Sequence, residues 1–82
     1  MNWYKKYIYA RVPALDSRKF KKMLRDMGAY YLRPGSGSHE IWEHPNGRHG
    51  TVQQGTIMPS MAKKIIEREL GLDYNQFLSN FF

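Results

Sequence analysis

Phe20, Met23, Leu24 and Met27 recur at i, i+3, i+4 and i+7, the spacing of one face of an α-helix. Asp16 stands where it can cap the first turn, and Leu15 where it can staple onto Phe20. Gly28 can take the left-handed conformation that ends the helix. At 100° per residue Arg18, Lys21, Lys22 and Arg25 fall opposite the apolar face, which predicts a basic ridge on an apolar base. Tyr30-Tyr31-Leu32 between Gly28 and Pro34 predicts a strand over 29–33, and 34–38 a loop. His39 to His44 predicts a second strand. Pro45-Asn46-Gly47 is a hairpin turn signal, with a third strand returning over 48–54. After a connection over 55–59, Ser60 is placed to cap a second helix carrying Met61, Ala62, Ile65, Ile66 and Leu70 on its buried side and ending at Gly71. Asp73-x-x-Gln76 reads as a capping box, with Leu72 and Phe77 as the staple pair, and predicts a short third helix.

The order is α-β-β-β-α plus a terminal helix, an α+β fold. Residues 1–15 form an extension and residues 16–82 the domain. The apolar residues Trp3, Tyr7, Ile8 and Val12 of the extension follow no clean period, and an added strand or a docked segment is expected there.

Composition changes the picture in three ways. The 82 residues allow one small domain, and with no cysteine its core must rest on apolar burial alone. No apolar run approaches the length of a membrane span, so a cytosolic protein is expected, without a membrane partner. Lys+Arg 13 against Asp+Glu 7 gives a net charge of +6, pointing to an anionic partner and first to nucleic acid. The charge is also local. Through Arg33 there are nine basic and two acidic residues, net +7, and beyond it four basic and five acidic, net −1.

The segment Arg33-Pro34-Gly35-Ser36-Gly37-Ser38-His39 combines a cation, two glycines, two hydroxyls and an imidazole. Such a loop can hold a phosphate on convergent amides while the histidine moves a proton; it is also a composition that ordinary turns use. His39 shares strand parity with Ile41 and Glu43. If Ile41 faces the helices, His39 sits at the edge of that layer, as an acid–base residue or as a structural histidine bonded to backbone. His44 and His49 would stand opposite each other across a two-residue loop, but two imidazoles without a third ligand make an incomplete site, so no metal and no cofactor are expected. Tyr30, Tyr31 and Trp42 are either stacking platforms for bases or core.

Taken together, Ser17-Arg18, Leu24-x-x-x-Gly28, Arg33, Gly37-Ser38-His39, Ile41-Trp42, His44-Pro45-x-Gly47, Thr51-Val52, Ala62-x-x-Ile65-Ile66, Gly71-Leu72 and Phe77-Leu78 resemble the HicA toxins of bacterial toxin–antitoxin pairs, over residues 16–78. The resemblance implies a fold like that of double-stranded-RNA-binding domains and ribosome-independent cleavage of mRNA. It also implies catalysis by the histidine of Gly-Ser-His, His39, and a HicB antitoxin as partner. RNA would then lie on Arg18, Lys21, Lys22, Arg25, Arg33, Ser36, Gly37 and Ser38. A non-catalytic double-stranded-RNA-binding module would share these features, whereas a purely protein-binding relative would need no basic ridge. Two departures stand out: Val52-Gln53-Gln54-Gly55 replaces the Val-Pro-x-His of many members, and the second helix is about one residue longer before Gly71.

Overall fold

The computed structural model describes residues 12–82, so most of the expected N-terminal extension lies outside the described residues. Strand β1 (Leu15–Asp16) leads into helix α1 (Ser17–Asp26), whose ends close as the sequence predicts. The Asp16 carboxylate accepts from the Arg18 N–H at 2.8 Å. Gly28 adopts φ +94°, which lets the Gly28 N–H reach the Arg25 carbonyl and the Ala29 N–H reach the Leu24 carbonyl, both at 2.9 Å. These two bonds form a Schellman motif. Leu15 and Phe20 are both buried, as a staple requires.

Strands β2 (Tyr30–Pro34), β3 (Glu40–Glu43) and β4 (His49–Val52) form the expected antiparallel meander, in the order β2-β3-β4. The last two are shorter than predicted, because the residues just outside them, His39, His44 and Arg48, bond within the turns instead. A second, two-stranded sheet was not predicted: β1 pairs with β5 (Thr56–Ile57), Leu15 opposite Ile57. Two-residue strands carry no periodicity, which is why the connection after Val52 read as a loop.

Helix α2 (Pro59–Lys63) begins one residue before Ser60, with Met58 as N-cap and no side-chain cap bond. Proline supplies the start instead, because its fixed φ suits the first helical position and its missing N–H is one that no helix satisfies internally. From Lys64 to Glu69 the same helix runs on with π-helical bonding. Helix α3 (Tyr74–Phe81) is capped by Asp73, which accepts from the Asn75 N–H at 2.8 Å.

The helices cover the sheet face that carries Trp42, Gly50 and Val52, all buried. It is therefore Trp42, not Ile41, that faces the helices, because the larger aromatic surface takes the core position and reverses the expected parity. Gly50 lies opposite Trp42 in register. A Cβ there would stand 3.2 Å from Leu70 Cγ and 3.4 Å from Ile65 Cγ2, so the missing side chain lets the second helix sit directly on β4. Phe20, Leu24, Ile57, Ile66, Leu70 and Phe77 are fully enclosed, each stabilising the fold by about 1.5–3 kcal/mol in the absence of any cross-link.

The hairpin between β3 and β4 has a three-residue loop rather than two. The Gly47 N–H bonds the His44 carbonyl at 2.8 Å, the His44 N–H bonds Arg48, and Gly47 takes φ +88°. Pro45 at the second turn position favours this type I turn with a left-handed third loop residue. From the tip, Asn46 donates to the Leu70 carbonyl at 2.9 Å, and Arg48 donates to the carbonyls of Glu69 and Arg68. The end of the second helix is thus clamped to the hairpin.

Candidate functional site

The loop from Gly35 to His39 closes on itself. The Gly35 N–H donates to the His39 carbonyl at 2.9 Å and the His39 N–H to the Ser36 carbonyl at 3.1 Å, with Gly37 left-handed at φ +61°. These bonds use two of the loop's amides, and the N–H groups of Ser36, Gly37 and Ser38 take no backbone partner among the described residues. All three residues are exposed. His39 Nδ1 lies 3.0 Å from the Ser36 carbonyl. A carbonyl only accepts, so Nδ1 carries a proton, and in the neutral ring the lone pair is then on Nε2. The imidazole is exposed and oriented by backbone, next to these three exposed residues.

Strand pairing assigns the neighbours. Arg33 stands opposite Ile41, on the sheet face away from Trp42 and the helices, and His39 has the same parity. Arg33 therefore shares the open face with His39. Tyr30 and Tyr31 are exposed as a platform requires, but Trp42 is buried and donates from Nε1 to Glu40 Oε1 at 2.9 Å. It is core, with Tyr31 edge-on to its ring.

Of the four residues expected on the basic ridge, Arg18, Lys22 and Arg25 are exposed and Lys21 is half-buried. Lys21 Nζ lies 3.3 Å from Glu40, with only 16% of its side chain exposed, and the Arg25 guanidinium sits over the Trp42 ring at 5.2 Å. Both turn towards β3, since the buried stripe of Ser17, Phe20, Met23 and Leu24 leaves them on the shoulder of α1 that meets the sheet. Arg18, Lys19 and Lys22 form the solvent ridge, all exposed. Lys19 was missed because it lies on the far shoulder of a wheel centred on Met23 and Leu24; recentring on the N-terminal residue Ser17 would have found it.

Glu40 was also missed as the anchor between α1 and the strand that begins after His39. The Trp42 N–H, and after it Lys21, holds the Glu40 carboxyl below the usual glutamate range. Its stabilising effect is therefore present above the ordinary glutamate pKa of about 4.3 and lost as pH falls through the lowered native value. Replacing Lys21 with Met should cost about 1–2 kcal/mol at neutral pH, since it leaves Glu40 half-buried with one partner. Urea denaturation at pH 7 and pH 3 checks this, and the difference between variant and wild type should shrink at pH 3.

The other two histidines do not face each other. His49 is opposite Glu43, with Nε2 2.8 Å from its carboxylate, and the second Glu43 oxygen accepts from the Tyr30 hydroxyl. This places a histidine, a carboxylate and a phenol in one line across three strands. His44 is held from both sides. Its Nδ1 accepts from the Asn46 N–H at 3.2 Å and its Nε2 lies 3.1 Å from the Met27 carbonyl, so it fastens the hairpin to the end of α1. The three-residue loop shifts the register by one and separates the pair; among the described residues no group of three ligating side chains converges on a metal site. No helix among the described residues is long and apolar enough to cross a membrane.

A family model described as the HicA toxin of bacterial toxin–antitoxin matches residues 17–72. No curated protein and no solved structure matches the chain.

Proposed function

Because the chain belongs to the HicA toxin family, and so is the toxin of a toxin–antitoxin pair with a cognate antitoxin, we propose that it is an endoribonuclease acting on mRNA with His39 as its acid–base residue. The observation that carries this reading is the His39 ring, oriented through Nδ1 by the Ser36 carbonyl with Nε2 turned outward, where the loop joins β3 and beside three exposed amides that take no backbone partner among the described residues.

In the proposed reaction Nε2 takes the proton of a ribose 2′-OH. The 2′ oxygen attacks the adjacent phosphorus, the bond to the 5′ oxygen breaks, and the products are a 2′,3′-cyclic phosphate and a 5′-OH. The N–H groups of Ser36, Gly37 and Ser38 would hold the non-bridging oxygens, with Arg33 balancing the charge that grows on them. His44 is occupied on both nitrogens. His49 lies beside Glu43, four residues along from His39 on the strand axis, about 13 Å away. Neither reaches the same phosphate, so the leaving 5′ oxygen takes its proton from water or from the imidazolium of His39.

The test is incubation of purified protein with RNA in EDTA, followed by end analysis. Cleavage should persist in chelator and yield 2′,3′-cyclic phosphate or 3′-phosphate ends, because the nucleophile is internal to the RNA. Ends of 3′-OH with 5′-phosphate would indicate an activated water instead, and binding without cleavage would leave only a double-stranded-RNA-binding module. The same surface suits an antitoxin of HicB type that presents acidic side chains to the α1 ridge.

A further inference from the structure

We infer that the cleft between the first turn of α1 and the Gln54-Gly55 bend is a subsite for an unstacked RNA base next to the one cleaved, with Gln54 reading its edge. This rests on the reading of the protein as an RNA-cleaving toxin.

The cleft has a volume of about 300 Å³ and is lined by Asp16, Ser17, Arg18, Lys21, Gln54 and Gly55, at the lower end of small-molecule sites. Its floor is fixed by backbone: the Ser17 N–H donates to the Gly55 carbonyl at 2.8 Å, and the Gly55 N–H to Ser17 Oγ at 3.2 Å. A Cβ on Gly55 would meet nothing within 4 Å, so the bend leaves the space above it open. The helix terminus is not the attraction, because the Ser17 and Arg18 N–H groups are already bonded.

Its chemistry suits a base better than a phosphate. A phosphodiester offers only acceptors and would face the Asp16 carboxylate, whereas a base edge offers donors and acceptors together. Asp16 and Arg18 pair through one carboxylate oxygen, which leaves the second Asp16 oxygen to accept and the remaining Arg18 N–H groups and flat cation to donate or stack, while the Gln54 amide can do both. Gln53 is committed to the Thr56 carbonyl at 3.1 Å, while Gln54 is exposed and lines the cleft.

The position also fits. Lys21 in the cleft wall bonds Glu40, the residue after His39, and Glu40 pairs with Val52, two residues before Gln54. The cleft and the His39 loop therefore border the same end of the sheet from its two faces, and a base reaching the cleft from a phosphate held at His39 must turn out of the stack around that end.

The experiment uses 2′-O-methyl oligonucleotides, which lack the nucleophile and cannot be cut: four homopolymers and an abasic chain of equal length. Fluorescence anisotropy should show the wild-type protein preferring one base over the abasic chain by about tenfold. Gln54→Ala should erase most of that preference while binding the abasic chain as before. Equal wild-type affinity for all five, or an unchanged preference in Gln54→Ala, overturns the inference. Cleavage of unmodified RNA is followed alongside. Cutting with no base preference would sink the subsite alone, whereas base preference without cutting would sink the catalytic reading and leave the subsite standing.

Discussion

His39→Ala should abolish RNA cleavage, and with it toxicity, while leaving the melting temperature and far-UV spectrum close to wild type. Removing a positioned general base costs on the order of 10²–10⁴ in rate. The ring is exposed and makes a single hydrogen bond, to the Ser36 carbonyl within its own loop, and exposed positions of this kind move stability by about 0.5 kcal/mol or less. His44→Ala should behave in the opposite way. That ring joins the β3–β4 hairpin to the Met27 carbonyl, so its loss should lower stability before it touches the chemistry. If His39→Ala cuts at the wild-type rate, the histidine is structural and the acid–base assignment is wrong.

Replacing Lys19 and Lys22 together with Ala should weaken binding to unrelated RNA sequences by similar factors and lower the slope of log affinity against log salt by about 1–2, as fewer counterions are released; Arg18 is left in place because it also lines the cleft beside Gln54. These residues stand on the solvent face of α1, and the ion pair of Lys22 with Asp26 is exposed and so contributes little to folding. An acidic antitoxin should be bound less tightly by the same variant. Lys21 does not belong in this set, because its loss would disturb Glu40 and confuse binding with stability. Titration of a labelled RNA at several salt concentrations measures the effect. An unchanged slope would mean that the ridge is only a solvated face.

The elements with strong periodicity or explicit end signals were legible. Helix α1 is written by Asp16, its four apolar residues and Gly28, and the meander by Pro34, Gly35 and the Pro45-Asn46-Gly47 turn. What failed were decisions between neighbours that only packing makes. Ile41 and Trp42 are both apolar and adjacent, and the choice of which faces inward also decides where Glu40 and Arg33 point. A helical wheel says which side is buried but not where a sheet will abut its shoulder, which hid the roles of Lys21, Arg25 and Lys19. The β1–β5 pair depends on contact between residues far apart in the chain, beyond any local signal. In the candidate site, the Gly-Ser loop and His39 could be named from composition, whereas the Nδ1 bond that exposes Nε2 could not.

The π-helical stretch over Lys64–Glu69 makes the length of the second helix negotiable. An added residue in an α-helix turns everything beyond it by about 100° and would carry Leu70 out of the core. Here the wider turn takes up the surplus: the Leu70 N–H reaches back to the Ile65 carbonyl at 2.8 Å, Leu70 stays enclosed, and the helix end still meets Asn46 and Arg48. A shift of one residue in this helix can thus be absorbed locally, without moving the core residue or the clamp that follow it.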